Sequence, residues 1–362
     1  MALPDVMGYM MKGRICVVVP VFNESILIQK TLQSLQIAGF EAQDVYVVDD
    51  KSTDNTVEYA KTTPMVGTAG IYLPNIHTVD QNGGKAAAQR AIMARFDLLG
   101  RYDWIIFMDG DTIVDPEFRT SLFSAATKNP TVALFTGHVV SIKENTAYTA
   151  YRAYAYAWGQ EILKKGQSNF NCVYVSPGCA SMFATDVLGQ LTIDSDTLAE
   201  DMDLTLQVHK LGKKTMFVSE AKVYTQDPNS FKDYVKQVTR WTRGYWQIIK
   251  KHGIFSIGKK KPVDLYLMFA TLEGILFNSI SVYVLILVFF PPILWISIVF
   301  NFALYFLINC WAAYYYRRID ILKWVPVTYF MQFVNWFLFV RSGFEVVFLQ
   351  NRFDWNKVRR YT

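Results

Sequence analysis

Carboxylates carry most of the chemistry this sequence can do. Asp109-Gly110-Asp111 sets two acids one residue apart, directly after the apolar run Trp104-Ile105-Ile106-Phe107-Met108. On a strand-end turn such a pair can hold a hard divalent cation together with the diphosphate and ribose of a nucleotide. The cation then also neutralises charge on a departing diphosphate. Asp49-Asp50 ends a second apolar run, Val45-Tyr46-Val47-Val48. A carboxylate there can accept a hydrogen bond from a nucleobase N–H, or simply close an Asx turn. Asn82-Gly83-Gly84-Lys85 supplies a flexible turn and a cation at a helix start, suited to phosphates or a base edge. Asp201, after Glu200, is a candidate general base; capping the helix that opens there is the alternative. Gln237 precedes Arg240 by three residues, so the two share a helix face, with Trp241 alongside. The arginine can stabilise a leaving diphosphate and the tryptophan can stack on a sugar ring. A basic and aromatic anchor at a membrane interface is the plainer reading of that pair.

These residues need elements to position them. Ile15-Cys16-Val17-Val18-Val19 is a continuous apolar run closed by Pro20 and reads as a buried parallel strand. Pro20, Asn23 and Glu24 then lie at its carboxyl end, where backbone groups can touch a base. A helical pattern follows through Leu32 and Leu35 to Gly39, and Ser52 or Asp54 can cap the short helix after Asp49-Asp50. Lys85 to Leu99 reads as one long helix and Trp104–Met108 as a third buried strand. Strand and helix in alternation imply an α/β fold with a doubly wound sheet, whose ligands bind at the carboxyl ends of its strands. Residues 145–170 carry an aromatic-rich helical pattern (Tyr148, Tyr151, Tyr154, Tyr156, Trp158), read as helix packing or as the lining of a sugar path. A helix over 201–211 ends at Gly212, a strand covers Thr215–Val218, and Phe231–Lys251 is a helix with basic and aromatic faces that suit a membrane surface.

Composition then divides the chain. It is 52% hydrophobic and 15% aromatic, with a net charge of +5. The excess apolar content lies in three blocks near 265–290, 293–316 and 324–350. A spanning helix needs roughly 20 apolar residues, which the first two blocks supply, with Pro291-Pro292 as a tight turn between them. Arg341 and Glu345 interrupt the third, which leaves open three spans, or two spans with a re-entrant or surface helix. Lys259-Lys260-Lys261 and the tail residues Lys357, Arg359 and Arg360 flank apolar segments, so they mark a cytoplasmic membrane face and not a nucleic-acid site. Met1–Gly13 has no apolar run of the signal-peptide kind. The four cysteines, Cys16, Cys172, Cys179 and Cys310, have neither metal nor disulfide spacing, as expected of free thiols in a reducing compartment. The expected organisation is a cytosolic α/β domain over 1–230, an amphipathic interface region over 231–262, two or three transmembrane helices over 263–350 and a basic tail over 351–362.

Taken in order, the motifs bear a resemblance. Val18-Val19-Pro20-Val21-Phe22-Asn23-Glu24, Val48-Asp49-Asp50 with Ser52-Thr53-Asp54, Asn82-Gly83-Gly84-Lys85, Asp109-Gly110-Asp111, Ser176-Pro177-Gly178-Cys179-Ala180, Glu200-Asp201 and Gln237 to Trp241 cover about residues 14–250. The chain resembles the membrane-integrated, inverting family 2 glycosyltransferases. Among them it is similar to the bacterial cellulose, hyaluronan, chitin-oligosaccharide and poly-N-acetylglucosamine synthases. The resemblance implies a Rossmann-like GT-A nucleotide-sugar-binding domain with a C-terminal α-helical transmembrane region, in a multi-pass plasma-membrane protein with a cytoplasmic catalytic domain. It implies that Asp50 recognises the uridine of a UDP-sugar, with Pro20, Asn23, Glu24, Lys85 and Asp109 also on the donor. Asp109 and Asp111 would hold Mg or Mn. Asp201 would deprotonate the acceptor hydroxyl, while Gln237, Arg240 and Trp241 close over the donor. Gly178, Cys179, Ala180, Ser181, Glu200 and Trp241 would line the acceptor.

The chain departs from the family pattern in three places. Lys51 stands where glycine is common, Ala199 replaces the usual threonine before Glu200-Asp201, and Ala184-Thr185 lies where arginine is frequent. No spans are expected before the catalytic domain, unlike in several polymer synthases. Two enzyme readings follow: processive extension of a polysaccharide, or transfer of one sugar to a lipid acceptor. A catalytically silent nucleotide-sugar-binding subunit is the third, and an intact Asp201 argues against it. The oligomeric state stays open, a homo-oligomer included.

Overall fold

A computed structural model describes residues 13–67, 70–142, 146–276 and 291–349. The expected basic tail, the first twelve residues and positions 277–290 of the first apolar block lie outside them.

Strand β1 (Ile15–Val21) and strand β2 (Val45–Asp49) have every side chain buried, as a continuous apolar run demands of a strand covered on both faces. Alternation splits their side chains between two cores. Val17, Val19 and Val21 join Ile28, Leu32 and Leu35 of helix α1 (Ile28–Ile37). Cys16, Val18, Tyr46 and Val48 face Ala88 and Ile92 of the helix after the Gly83-Gly84 turn. Helix α2 (Thr56–Lys61) follows β2, and its N-cap is Asn55, although Asp54 accepts the Thr56 N–H. A hairpin, β3 (Met65–Gly67) and β4 (Gly70–Tyr72), precedes β5 (Asn75–Thr78).

The long helix expected over 85–99 is two helices. Helix α3 (Lys85–Arg95) stops because Asp97 takes a left-handed backbone (φ 47°), and α4 (Leu98–Arg101) starts after it. Strand β6 (Trp104–Phe107) comes next, then the short β7 (Ile113–Val114), helix α5 (Phe118–Lys128), the long β8 (Val132–Ser141) and, after a helical segment, β9 (Ser181–Ala184). Strand β10 (Lys214–Thr225) is far longer than the Thr215–Val218 expected.

The sheet runs β5-β2-β1-β6-β9-β8-β10-β7. Its first four strands are parallel, as expected of a doubly wound sheet. The rest corrects that expectation, because β9 inserts antiparallel to both β6 and β8 and β7 is antiparallel to β10. The sheet is therefore mixed. Reversing β9 puts its amino end beside the carboxyl end of β6, with Ser181 opposite Phe107.

The aromatic segment forms α6 (Ala147–Tyr156), a π-helical stretch over Ala157–Lys164 and α7 (Lys165–Asn169). Its tyrosines pack on other helices: Tyr154 meets Tyr305 with ring centres 4.5 Å apart, and Tyr148 and Tyr151 meet Tyr234. That is the packing alternative of the two. After the short α8 (Thr185–Leu188) come α9 (Glu200–Lys210) and α10 (Phe231–Lys251). Ser230 caps α10 by accepting the Asp233 N–H.

The C-terminal part comprises α11 (Pro262–Leu276), α12 (Pro291–Tyr315) and α13 (Val325–Val347). Pro291-Pro292 open α12, where a proline costs no helix hydrogen bond. Among the described residues one helix is long and apolar enough to cross a membrane, over Ile298–Tyr315. The charges that interrupt the third apolar block have structural partners. Glu345 accepts from Arg341 one turn away and from Arg243 of α10, at 2.8 Å each. Helix α13 is thus fastened along α10, also through Trp246 Nε1 to Phe339 O at 2.9 Å and Tyr234 Oη to Asn335 at 2.7 Å. Lys260 and Lys261 serve the fold as well, donating to Ile254 O and to Lys210 O at the end of α9.

Candidate active site

Register decides which strand ends meet. Val21 pairs with Asp49 and Val18 with Phe107, so the carboxyl ends of β1, β2 and β6 lie side by side. Asp49, Asp50 and Asp109 therefore emerge along one edge. Asp49 closes an Asx turn by accepting the Ser52 N–H. Lys51, between them, has φ 67°, a backbone that glycine adopts without strain and lysine does not. Asn23 (φ 55°) donates its N–H to Ser52 Oγ and accepts from the Thr53 N–H, and Glu24 donates its N–H to Thr56 Oγ1. Pro20 is buried inside β1.

Asp50 is buried, and its two carboxylate oxygens accept the N–H groups of Gly83 and Gly84 at 2.9 and 2.8 Å. Burial pushes its carboxyl upward and the two N–H groups partly offset that. Asp50 thereby fixes the turn that launches Lys85. Gly84 supports this with φ 82°.

Lys85 is the junction of the site. Its ammonium lies 2.6 Å from Asp109 Oδ1, 3.2 Å from Glu200 Oε1 and 3.5 Å from Gly178 O. Burial opposes its charge, but Asp109 and Glu200 outweigh burial and hold it above the ordinary lysine range. A Cβ at Gly178 would meet this ammonium and would push the Lys85 head aside. The Gly178 N–H donates to Asp201 Oδ2 at 3.1 Å, and the Met202 N–H donates to Oδ1 at 2.8 Å. The Asp201 carboxyl is raised to about 6, first by burial and then by Glu200, with Lys85 pulling the other way. A carboxylate near that value is a competent base at neutral pH.

Asp111 is buried beside Asp109. Gly110 between them is obligatory, since a Cβ there would fall 2.6 Å from Val21 Cγ1, and Thr31 Oγ1 donates to its carbonyl. The two carboxylates offer only oxygen donors, the ligand type that Mg or Mn prefers. Among the described residues no third His, Cys, Asp or Glu joins them in a metal-holding cluster. A cation held there would complete its shell with phosphate oxygens and water.

The other expected residues lie on the loop around Gly178 and on α10. Cys179, Ala180 and Ser181 are buried: the first two belong to the core, and Ser181 Oγ bonds Ser176 Oγ and Pro177 O. Within this loop, Gly178 contacts the Lys85 ammonium directly. Gln237 is buried on α10, and its Oε1 accepts from Arg152 at 2.8 Å. Trp241 is 38% exposed, with the Arg152 guanidinium 4.4 Å from its ring centre. Arg240 is half-buried between them. Helix α10 reaches the segment before Asp201 through Gly244, where a Cβ would fall 2.8 Å from that of Ala199, and through Gln247, which accepts the Leu198 N–H. Ala199 thus fits a close helix contact in place of the usual threonine. Arg152 was not singled out in the sequence. Neither was Lys164, a buried lysine on the π-helical stretch that burial lowers to about 8.

The model of the glycosyl transferase family group 2 matches residues 104–340, and that of glycosyl transferase family 2 matches residues 16–188. The chain belongs to glycosyl transferase family 2. This family 2 glycosyltransferase is similar to the poly-beta-1,6-N-acetyl-D-glucosamine synthase of Staphylococcus aureus, strain COL, at 24% identity over 257 residues, which is 70% of this chain and 60% of that protein. It is similar to the Staphylococcus epidermidis synthase of the same name at 23% identity, with the same coverage. The chain therefore spans about 60% of the length of these relatives. Among solved structures it resembles the mannosyltransferase PcManGT from Pyrobaculum calidifontis in complex with GDP-Man and Mn2+, with a TM-score of 0.60, 17% identity, and coverage of 87% of this chain and 86% of that one. That likeness supports the Rossmann-like, GT-A-type α/β fold.

Proposed function

We propose that this family member is a membrane-bound, inverting hexosyltransferase that moves a sugar from a UDP-sugar, of glucose or N-acetylglucosamine type, to the end of a growing polysaccharide. The observation that carries the reading is the Lys85 junction, where one ammonium bonds Asp109 of the donor side and Glu200 beside the base. Asp201 removes the proton from the acceptor hydroxyl. That oxygen bonds to the anomeric carbon as the bond to the diphosphate breaks on the opposite face, which inverts the centre. Asp50 and the Gly83-Gly84 turn receive the nucleotide, and Lys85 and Arg240 counter the charge of the leaving diphosphate. Asp109 and Asp111 are the residues that would hold Mg or Mn, which supplies charge neutralisation at that diphosphate. Gln237 and Trp241 close over the donor, and Gly178 and Glu200 flank the acceptor. The helix over Ile298–Tyr315 supports attachment to a bilayer, and this reading puts the catalytic domain on the cytoplasmic side.

A glycolipid product, one sugar on a polyprenyl phosphate or diacylglycerol, is the second reading. It is favoured by the single span-length apolar helix among the described residues. The test is a panel of radiolabelled UDP- and GDP-sugars with purified protein in lipid, with and without chelator, followed by sizing of the products. A ladder from a UDP-sugar, lost on chelation, supports polymer synthesis. A single labelled lipid band supports the second reading, and no transfer from any donor refutes both.

A further inference from the structure

Three α10 residues, Tyr234, Gln237 and Trp241, lie three and seven positions apart and so form one stripe along the helix. All three meet a single side chain from another element. The Arg152 guanidinium, on α6, is 5% exposed. It donates from Nη2 to Gln237 Oε1 at 2.8 Å and stands over the rings of Trp241 at 4.4 Å and Tyr234 at 5.0 Å. Its Nε edge lies 3.5 Å from Asp227 as an ion pair and not a hydrogen bond, in the segment between β10 and α10, and Tyr156 Oη donates to that carboxylate. A flat cation serves the amide through a donor, the carboxylate through its charge and the ring faces through its plane, all at once.

We infer that Arg152 is a positioning residue that sets the pose of Gln237 and Trp241. The inference rests on the reading of α10 as the element that closes over the donor. Two consequences follow from chemistry. An arginine donates and never accepts, so it fixes which way the Gln237 amide points: Oε1 toward Arg152 and the NH2 group away, available as a donor. Arg152 also backs one face of the Trp241 indole, which leaves the other face for a sugar ring. The guanidinium acts through these two side chains.

The test uses the full chain in lipid nanodiscs, as wild type, R152M and R152K, each with and without W241F. Acrylamide quenching of the Trp241 emission, taken as the difference between each protein and its W241F partner, needs no donor. It should increase in R152M, because the indole loses its backing. The kcat should fall about 100-fold, the usual cost of a misplaced closing group, with a much smaller change in donor KM. R152K keeps the charge and should restore thermal stability without restoring kcat or quenching, and it carries the test if R152M fails to fold. Placed on W241F, R152M should cost clearly less than it does alone, because the two act as a unit. Unchanged Trp241 quenching with a lowered Tm alone would overturn the inference, as would losses that multiply fully in the double variant. A wild type that transfers no sugar would sink the proposed activity, and the quenching arm would still decide the role of Arg152.

Discussion

The proposed donor side and the proposed closing side of this site are held by different physics. Asp50, Lys85 and Asp109 are placed by main chain: strand ends in register, two N–H groups on one carboxylate and a turn that only glycines allow. Gln237 and Trp241 are placed by side chains reaching across elements, above all Arg152, 85 residues from Gln237. Main-chain placement tolerates substitution nearby, since the amides stay whatever the side chain. Side-chain placement fails when one partner changes. Asp201 belongs to both, because backbone N–H groups hold its oxygens while Gly244 of α10 leans on the residue two before it.

The sharpest way to break this picture is at the shared residue. D201N should lower kcat by about 10²–10⁴, the usual worth of a general base, while calorimetry shows nucleotide binding retained. Near-normal turnover would remove Asp201 from its role. Stability should move the other way. The folded carboxyl ionises near 6 and an unfolded Asp near about 3.9, so between those values the native state holds more protons and stability falls as pH rises. D201N lacks that penalty and should melt above wild type at pH 7.5, with the gap closing toward pH 4.

Lys85 tests the donor side next. K85M removes a charged hydrogen bond worth about 1.5–3 kcal/mol, so donor KM should rise about tenfold to a hundredfold. The pH profile separates its two neighbours. Glu200 raises the Asp201 carboxyl and Lys85 lowers it. The alkaline rise in kcat/KM, near pH 6 in wild type, should therefore move down in E200Q and up in K85M. Shifts in the same direction would show that the Lys85 cluster does not set the base.

The same contrast decides what the sequence disclosed. Strands β1, β2 and β6 are legible because both their faces are buried, which makes them continuous apolar runs, and the acids that end them stand out for that reason. Helix α10 spans the residues expected of it, since its basic and aromatic faces mark it in the sequence. Strand β9 gave little signal, because four residues between a loop and a short helix have no period to read, and the mixed sheet hung on it. Asp97 gave no breaker signal inside an otherwise helical stretch. Arg152 was invisible for another reason: one arginine among tyrosines and alanines has no local signature, and all that marks it is partners far along the chain.

Gly244 probes the closing side more gently. A methyl there would press on Ala199 Cβ at 2.8 Å and on main chain at 3.1 Å. Overpacking of this kind costs about 1–3 kcal/mol, so G244A should lower the Tm and, by shifting α10, reduce kcat as well. A fall in Tm with kcat intact would mean that α10 and the base are less tightly joined than the contact implies.

The smallest effect belongs to Lys51, and it asks whether main-chain placement is as self-contained as argued. A non-glycine residue at φ 67° carries about 1–2 kcal/mol of left-handed strain. Glycine relieves it but adds about 0.5–1 kcal/mol of unfolded-state entropy. K51G should therefore gain between about 0 and 1.5 kcal/mol against denaturant, with donor KM and kcat unchanged, because the Asp49 and Asp50 carboxylates are held by N–H groups that the substitution leaves in place. A loosened donor KM in K51G would show that the lysine side chain takes part in nucleotide binding, and that this half of the site also leans on side chains.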